Sequence, residues 1–130
     1  MNRTFTIRQL TKEFSVTART LRFYEDEGLI APERRGQTRI YSGRDRARIT
    51  LILRGRRVGF SLAELREILD LYEKQDGGIT QLVHARKKFE ERIVSLERQR
   101  IDIDESLIVL RRGISGIDQK LSKDHAQAAE

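Results

Sequence analysis

Residues 6–28 read TIRQLTKEFSVTARTLRFYEDEG, and this stretch decides the head of the fold. Thr6 is followed three residues later by Gln9. That is the spacing of a capping box, in which each side chain satisfies a backbone N–H at the start of a helix. A short helix is predicted from Ile7 to about Glu13, with Ile7, Leu10 and Phe14 on one face. Ser15-Val16-Thr17 is a tight break, and the Thr17 hydroxyl is a good N-cap for a second helix from Ala18 to about Glu27. Leu21 and Tyr24 point inward from it, and Gly28 stops it, because glycine takes the left-handed conformation without strain. Two short helices joined by three residues form a helix-turn-helix, a pattern shared by many αα-hairpins.

Working outward, Leu29-Ile30-Ala31-Pro32 reads as extended, since a proline disfavours helix in the residue before it. Arg34 to Tyr41 reads as a turn and a small β-hairpin, a wing beside the two helices. Ser42 caps a third helix through about Val58, which Gly59 stops. Ser61 and Glu64 make a second capping box. It opens a fourth helix with Leu62, Leu65, Leu69 and Tyr72 at helical spacing, before a break at Asp76-Gly77-Gly78.

The remainder carries a heptad. Leu82, Phe89, Leu96, Ile103, Leu110 and Ile117 recur every seven residues, interleaved with Arg86, Ile93, Arg100, Leu107, Ile114 and Leu121. Ten of these twelve positions are apolar in a chain that is 38% hydrophobic, so chance would supply four or five. That is a coiled coil. From Ile79 to Leu121 it spans about 65 Å at 1.5 Å per residue, too long to bury its stripe on a small head. It needs a partner, most simply a second copy. Arg86 and Arg100 interrupt the seam and can set its register or direction. Gly113 and Gly116 weaken the last turns. The expected organisation is a head over 1–76, a dimerisation helix over 77–121 and a mobile tail over 122–130. The fold class is all-α with a small β-hairpin.

Composition narrows the function. The 130 residues contain no cysteine and only two histidines, His84 and His125. Thiolate metal sites, iron–sulfur clusters and cysteine nucleophiles are excluded, and no metal or cofactor is implied. No carboxylate pair, nucleophile–base arrangement or phosphate loop suggests an enzyme. No apolar run approaches the ~20 residues of a membrane span, and no signal peptide is evident, so a cytoplasmic protein is expected.

The net charge is +6. Met1 to Tyr72 hold 15 Lys+Arg against 9 Asp+Glu, whereas Glu73 to Glu130 hold 11 of each, so all of it lies in the first half. Nine arginines fall between Arg34 and Arg57 against one acid, Asp45. Arginine's planar fork matches phosphates and guanine edges. A solvated face would carry acids at i+4, and this one does not. The charge therefore points to nucleic acid.

Residues 19–30, RTLRFYEDEGLI, resemble the second-helix signature of the MerR (mercury-resistance regulator) family of transcription factors. The resemblance continues through Arg39-Ile40-Tyr41 and Val58-Gly59-Phe60-Ser61-Leu62, and covers Thr4 to Leu121 in order. It implies a winged helix-turn-helix that binds double-stranded DNA as a homodimer, joined by an antiparallel coiled coil. Leu82, Phe89, Ile93, Leu96, Ile103, Leu107, Leu110, Ile114 and Ile117 are then dimerisation residues. It also implies a pseudo-palindromic site between two promoter elements that are too far apart. Bending and untwisting that spacer realigns them for RNA polymerase, which is an indirect partner.

Carried onto this chain, the resemblance places Thr17, Arg19, Arg22 and Tyr24 at base edges and phosphates. It places Arg39 and Tyr41 in the wing, with Arg35 in its turn, and Arg56 and Arg57 in a second wing. The family often has an aromatic residue before the wing arginine, where this chain has Thr38. Core packing is the competing role for Tyr24 and Tyr41. A further likeness, in residues 53–64 and the arginine run, is to the subgroup controlling branched-chain amino acid and acyl-CoA catabolism. The effector is either a small molecule between head and coil, or none. An architectural DNA-bending protein and a plain coiled-coil module are the competing readings of the whole chain.

Overall fold

The computed structural model describes residues 3–73 and 78–129. The elements run β1 (Thr4–Thr6), α1 (Ile7–Phe14), α2 (Ala18–Asp26), β2 (Glu33–Arg35), β3 (Thr38–Ser42), α3 (Gly43–Arg57), α4 (Leu62–Glu73) and α5 (Ile79–Ala129). The mostly helical fold with a small β wing is the one expected. The Tyr72 side chain and the break at Asp76 and Gly77 lie outside the described residues.

Both expected capping boxes close, and a third forms at Ser42. Thr6 pairs with Gln9, Ser42 with Asp45, and Ser61 with Glu64, each side chain taking the other's backbone N–H at 2.8–3.1 Å. Helix α2 ends as its sequence requires. Gly28 has φ +73°, its N–H bonds the Glu25 carbonyl, and the Leu29 N–H bonds the Tyr24 carbonyl. This double closure turns the chain back, so Leu29 and Tyr24 both enter the core.

The hairpin β2–β3 is closed by a two-residue loop, since Arg35 faces Thr38. Gly36 takes φ +67° in it, at the position where such a turn demands glycine. A third strand was not foreseen. β1 pairs antiparallel with β3, Phe5 opposite Tyr41, giving the sheet order β1-β3-β2. Three residues are too few to show alternation, which is why the pattern missed it.

The chain divides into two compact units, Met1–Lys87 and Lys88–Glu130. In the first, Leu10, Leu21, Leu29, Tyr41, Ile49, Ile52, Phe60 and Leu69 are 2% exposed or less. Burying each large side chain contributes about 1.5–3 kcal/mol. Helices α3 and α4 pack closely because Gly55 carries no Cβ: one added there would lie 2.2 Å from Leu65 Cδ2. The division falls inside α5, whose early residue Ala85 is buried in the first unit, and the boundary expected at residue 76 lies outside the described residues. Helix α5 also runs past Leu121 to Ala129. Alanines 126, 128 and 129 favour helix, and no glycine or proline follows Gly116.

Candidate nucleic-acid interface

Helix α2 turns Leu21 and Tyr24 inward. Arg19, Arg22, Phe23 and Asp26 are left on its exposed face, at the i, i+3, i+4, i+7 spacing of one helical stripe. Phe23 is 46% exposed, an apolar ring on the same face as the two arginines. Thr17 sits at the N-terminus, where its hydroxyl accepts from Thr20 N–H at 3.1 Å. The remaining free N–H groups and the helix dipole favour an anion there.

The hairpin is clamped to α2 through one carboxylate. Glu25 receives Arg39 Nε at 2.8 Å and Arg34 Nη2 at 3.0 Å. Partial burial pushes the Glu25 carboxyl up, but the hydrogen bonds from Arg39 and Arg34 outweigh it and hold the pKa below the ordinary carboxylate value. Arg39 is raised in turn, chiefly by its hydrogen bond to Glu25. Arg35, expected in the turn, is the last residue of β2, and its side chain is 71% exposed with only a loose 3.8 Å approach to Glu33.

On the other flank, α3 ends in Arg56 and Arg57, both exposed. Arg56 Nη1 donates to the Phe60 carbonyl at 3.1 Å, which fixes the corner leading to α4. Arg19, Thr20, Phe23 and Tyr24 of α2 meet Arg56 and Leu62 around a shallow cleft of about 300 Å³. Helix α2 thus exposes Arg19 and Arg22, with Arg56 beside Arg19 and the arginine hairpin fastened to α2 through Glu25.

Residues 5–72 match the family described as MerR HTH family regulatory protein, and residues 46–112 match the one described as MerR, DNA binding. The chain belongs to the MerR family. The HTH-type transcriptional regulator HmrR of Rhizobium leguminosarum bv. viciae is 39% identical over 71 residues, covering 54% of this chain and 55% of HmrR. The chain spans about half the length of the curated relatives it matches. A crystal structure from Listeria monocytogenes, assigned to the MerR family of transcriptional regulators, aligns over 97% of this chain and 99% of its own. Its TM-score is 0.68 at 25% identity. HiNmlR, a MerR family regulator lacking the sensor domain and crystallised on promoter DNA, covers 87% of this chain and 89% of its own. Its TM-score is 0.63 at 21% identity, a likeness of fold.

Two of the expected contact residues serve the interior of this MerR head. Tyr41 is fully buried opposite Phe5, and its hydroxyl has no hydrogen-bond partner among the described residues. Burial raises its pKa. Tyr24 is 7% exposed, with its pKa also raised by burial and partly offset by the Arg56 charge. Both tyrosines take the packing role in the isolated chain.

The arginine run is also less free than its sequence suggests. Its acids come from elsewhere in the chain: Glu25 binds Arg34 and Arg39, and Glu13 binds Arg46 at 3.0 Å through Nε. Arg48 is buried and donates to the Leu29 carbonyl. Asp45, also buried, accepts from the N–H groups of Ala31 and Ser42. Spacing at i+4 could not reveal partners 9 to 33 residues away. Glu25, which ties the hairpin to α2, is the residue of this surface that sequence reasoning missed, and nothing local signals it.

Among the described residues no three His, Cys, Asp or Glu side chains group to hold a metal, and no helix is long and apolar enough to cross a membrane. His84 Nε2 lies 3.0 Å from Glu67 Oε1. The expected dimerisation residues, from Leu82 to Ile117, all lie on α5, 38% to 64% exposed.

Proposed function

We propose that the chain is a sequence-specific DNA-binding transcriptional regulator. It works as a homodimer joined through α5 as an antiparallel coiled coil. The head over residues 1–76 reads DNA, and the helix over 77–121 pairs the heads. The dimer binds a pseudo-palindrome in a promoter spacer and bends and untwists it, acting on RNA polymerase through the DNA. Its place is the cytoplasm. By the likeness to the branched-chain subgroup, its target genes are those of amino acid or acyl-CoA breakdown.

The observation that carries this reading is the exposed stripe of α2, which bears Arg19 and Arg22, with Arg56 beside Arg19 on one flank and the Glu25-clamped hairpin on the other. A helix of this kind enters the major groove by its first turns, where Arg19 and Arg22 lie. Arg35, Arg39 and Arg57 hold phosphates alongside. An arginine that forks to a guanine contributes about 1–3 kcal/mol of discrimination.

Selection of bound sequences from random duplexes tests it. The expected product is one enriched two-fold-related site, favoured over random DNA by about 10³ or more. Arg22→Ala removes one contact in each half, so it should lower affinity for that site about 30-fold or more and relax the preference at one base pair in each half. Binding without enrichment, falling steeply with salt, would favour an architectural DNA-bending protein instead.

A further inference from the structure

The apolar stripe of α5 contains two cations, Arg86 and Arg100. A guanidinium that enters a helix–helix seam loses water and needs an acid within reach. The acids along the same helix therefore constrain how a second copy can lie against it. A parallel partner in register would set Arg86 against Arg86 and Arg100 against Arg100, two layers of like charge. An antiparallel partner avoids both.

Antiparallel registers that keep apolar residues facing one another differ by seven residues. One of them uses all twelve stripe positions. Leu96 then faces Leu107 of the second copy, Arg100 faces Ile103, and Arg86 faces Ile117. The residue after each of those isoleucines is an aspartate, Asp104 and Asp118. Residues 100 and 104 are four apart, about 40° around the helix, so they share one edge of the seam. In an antiparallel pair these two edges come together, which brings each aspartate beside the arginine of the other copy. Glu90 approaches Arg111 on the same edge. At the two-fold axis the two Arg100 lie about 4.5 Å apart along the helices, and Glu97 and Asp104 of both copies approach there, so the like charges of each sign offset one another.

The neighbouring registers do worse on charge, because their close arginines lack the aspartates that flank Arg100 and Arg86 in this one. Sliding seven residues one way sets Arg100 against Leu110, which Arg111 follows. Sliding the other way sets Arg86 against the same Leu110 and Arg111. Each brings two arginines together, and each leaves stripe positions at one end uncovered. Arg100, Ile103, Asp104 and Asp118 are all exposed along α5 in the single chain.

We propose that two copies pair antiparallel in the register that places Arg100 beside Asp104, and Arg86 beside Asp118, of the second copy. These ion pairs, each formed twice by symmetry, select direction and register. The inference rests on the homodimer reading and adds its geometry.

The chain has no cysteine, so introduced thiols report without background. Leu96→Cys and Leu107→Cys chains are mixed, left to exchange, and oxidised. A disulfide needs Cα atoms within about 7 Å. The expected product is the mixed 96–107 dimer, with each variant alone cross-linking about tenfold less, because two residues 96 lie about 16 Å apart along such a pair. Efficient cross-linking of Leu96→Cys with itself would overturn the direction. Preferred coupling of Leu96→Cys to Ile114→Cys, or of Leu107→Cys to Phe89→Cys, would overturn the register. For the ion pairs, Arg100→Asp and Asp104→Arg should each raise the dimer dissociation constant about tenfold or more. The double variant should return to within about threefold of the parent, and no recovery would refute the pairing. Light scattering on the unaltered chain at micromolar concentration separates the levels. A monomer there refutes the homodimer, whereas a dimer with the wrong cross-links refutes only the register.

Discussion

Leu21 and Ile49 in the head are fully buried, whereas Ile103 and Leu110 on α5 are 58% and 64% exposed. The same kind of side chain is used in opposite ways in the two regions. The head closes its core within one chain, by capped helices, a three-stranded sheet and a glycine that lets α3 touch α4. The long helix presents its stripe outward, and that stripe becomes a core only when another helix covers it. A region that buries its own residues reads as a folding unit. A region that repeats exposed ones every seven residues reads as half of an interface.

The comparison breaks most visibly at Leu96. Leu96→Asp puts a charge into the seam and should weaken dimerisation by about 3–5 kcal/mol, while leaving the melting of the head unchanged. Sedimentation equilibrium reads the first effect and thermal denaturation the second. A dimer as tight as the parent would mean that α5 is not the interface.

Gly55→Ala probes the head in the complementary way. The new Cβ meets Leu65 Cδ2 at 2.2 Å and must push α3 from α4, at a cost of about 1–3 kcal/mol. Chemical denaturation should show it, and the dimer constant should not move. Equal effects on both would show that the two regions are not separable.

The smallest effect concerns Glu25. Its folded pKa is lowered, so its contribution is complete above the unfolded value of about 4.3 and is lost as pH falls through the lower folded value. Glu25→Gln should cost about 1 kcal/mol at neutral pH, and the difference between the two proteins should shrink on acidification below about pH 4.3. A difference that stays constant from pH 7 to pH 3 would mean that the carboxylate does not hold the hairpin by its charge.

What the sequence made legible follows the range of each interaction. Capping boxes, the Gly28 stop and the heptad are encoded within seven residues, and all three can be read directly. The inward pair of α2, Leu21 and Tyr24, was legible for the same reason. The pairing of β1 with β3, the clamp from Glu25 to Arg39 and the internal role of Arg48 join residues 14 or more positions apart, and local periodicity cannot encode them. The arginine run shows the cost. Its cations were read as pointing to nucleic acid because no acid stands at i+4, yet Arg34, Arg39 and Arg46 pair with acids brought in by the fold, while Arg35 and Arg57 stay on the outside. Tyr41 was read for contact or core, and the fold puts it wholly in the core.

The central claim is that two heads, paired through α5, read one two-fold site and distort it. A DNase I footprint on the DNA upstream of the protein's own gene, or on the selected site, tests it most directly. The account predicts one compact, two-fold-related protected region with enhanced cleavage at its centre, lost with Leu96→Asp at the same concentration. Identical protection by the Leu96→Asp protein, or diffuse protection of any DNA without a cleaved centre, would contradict it.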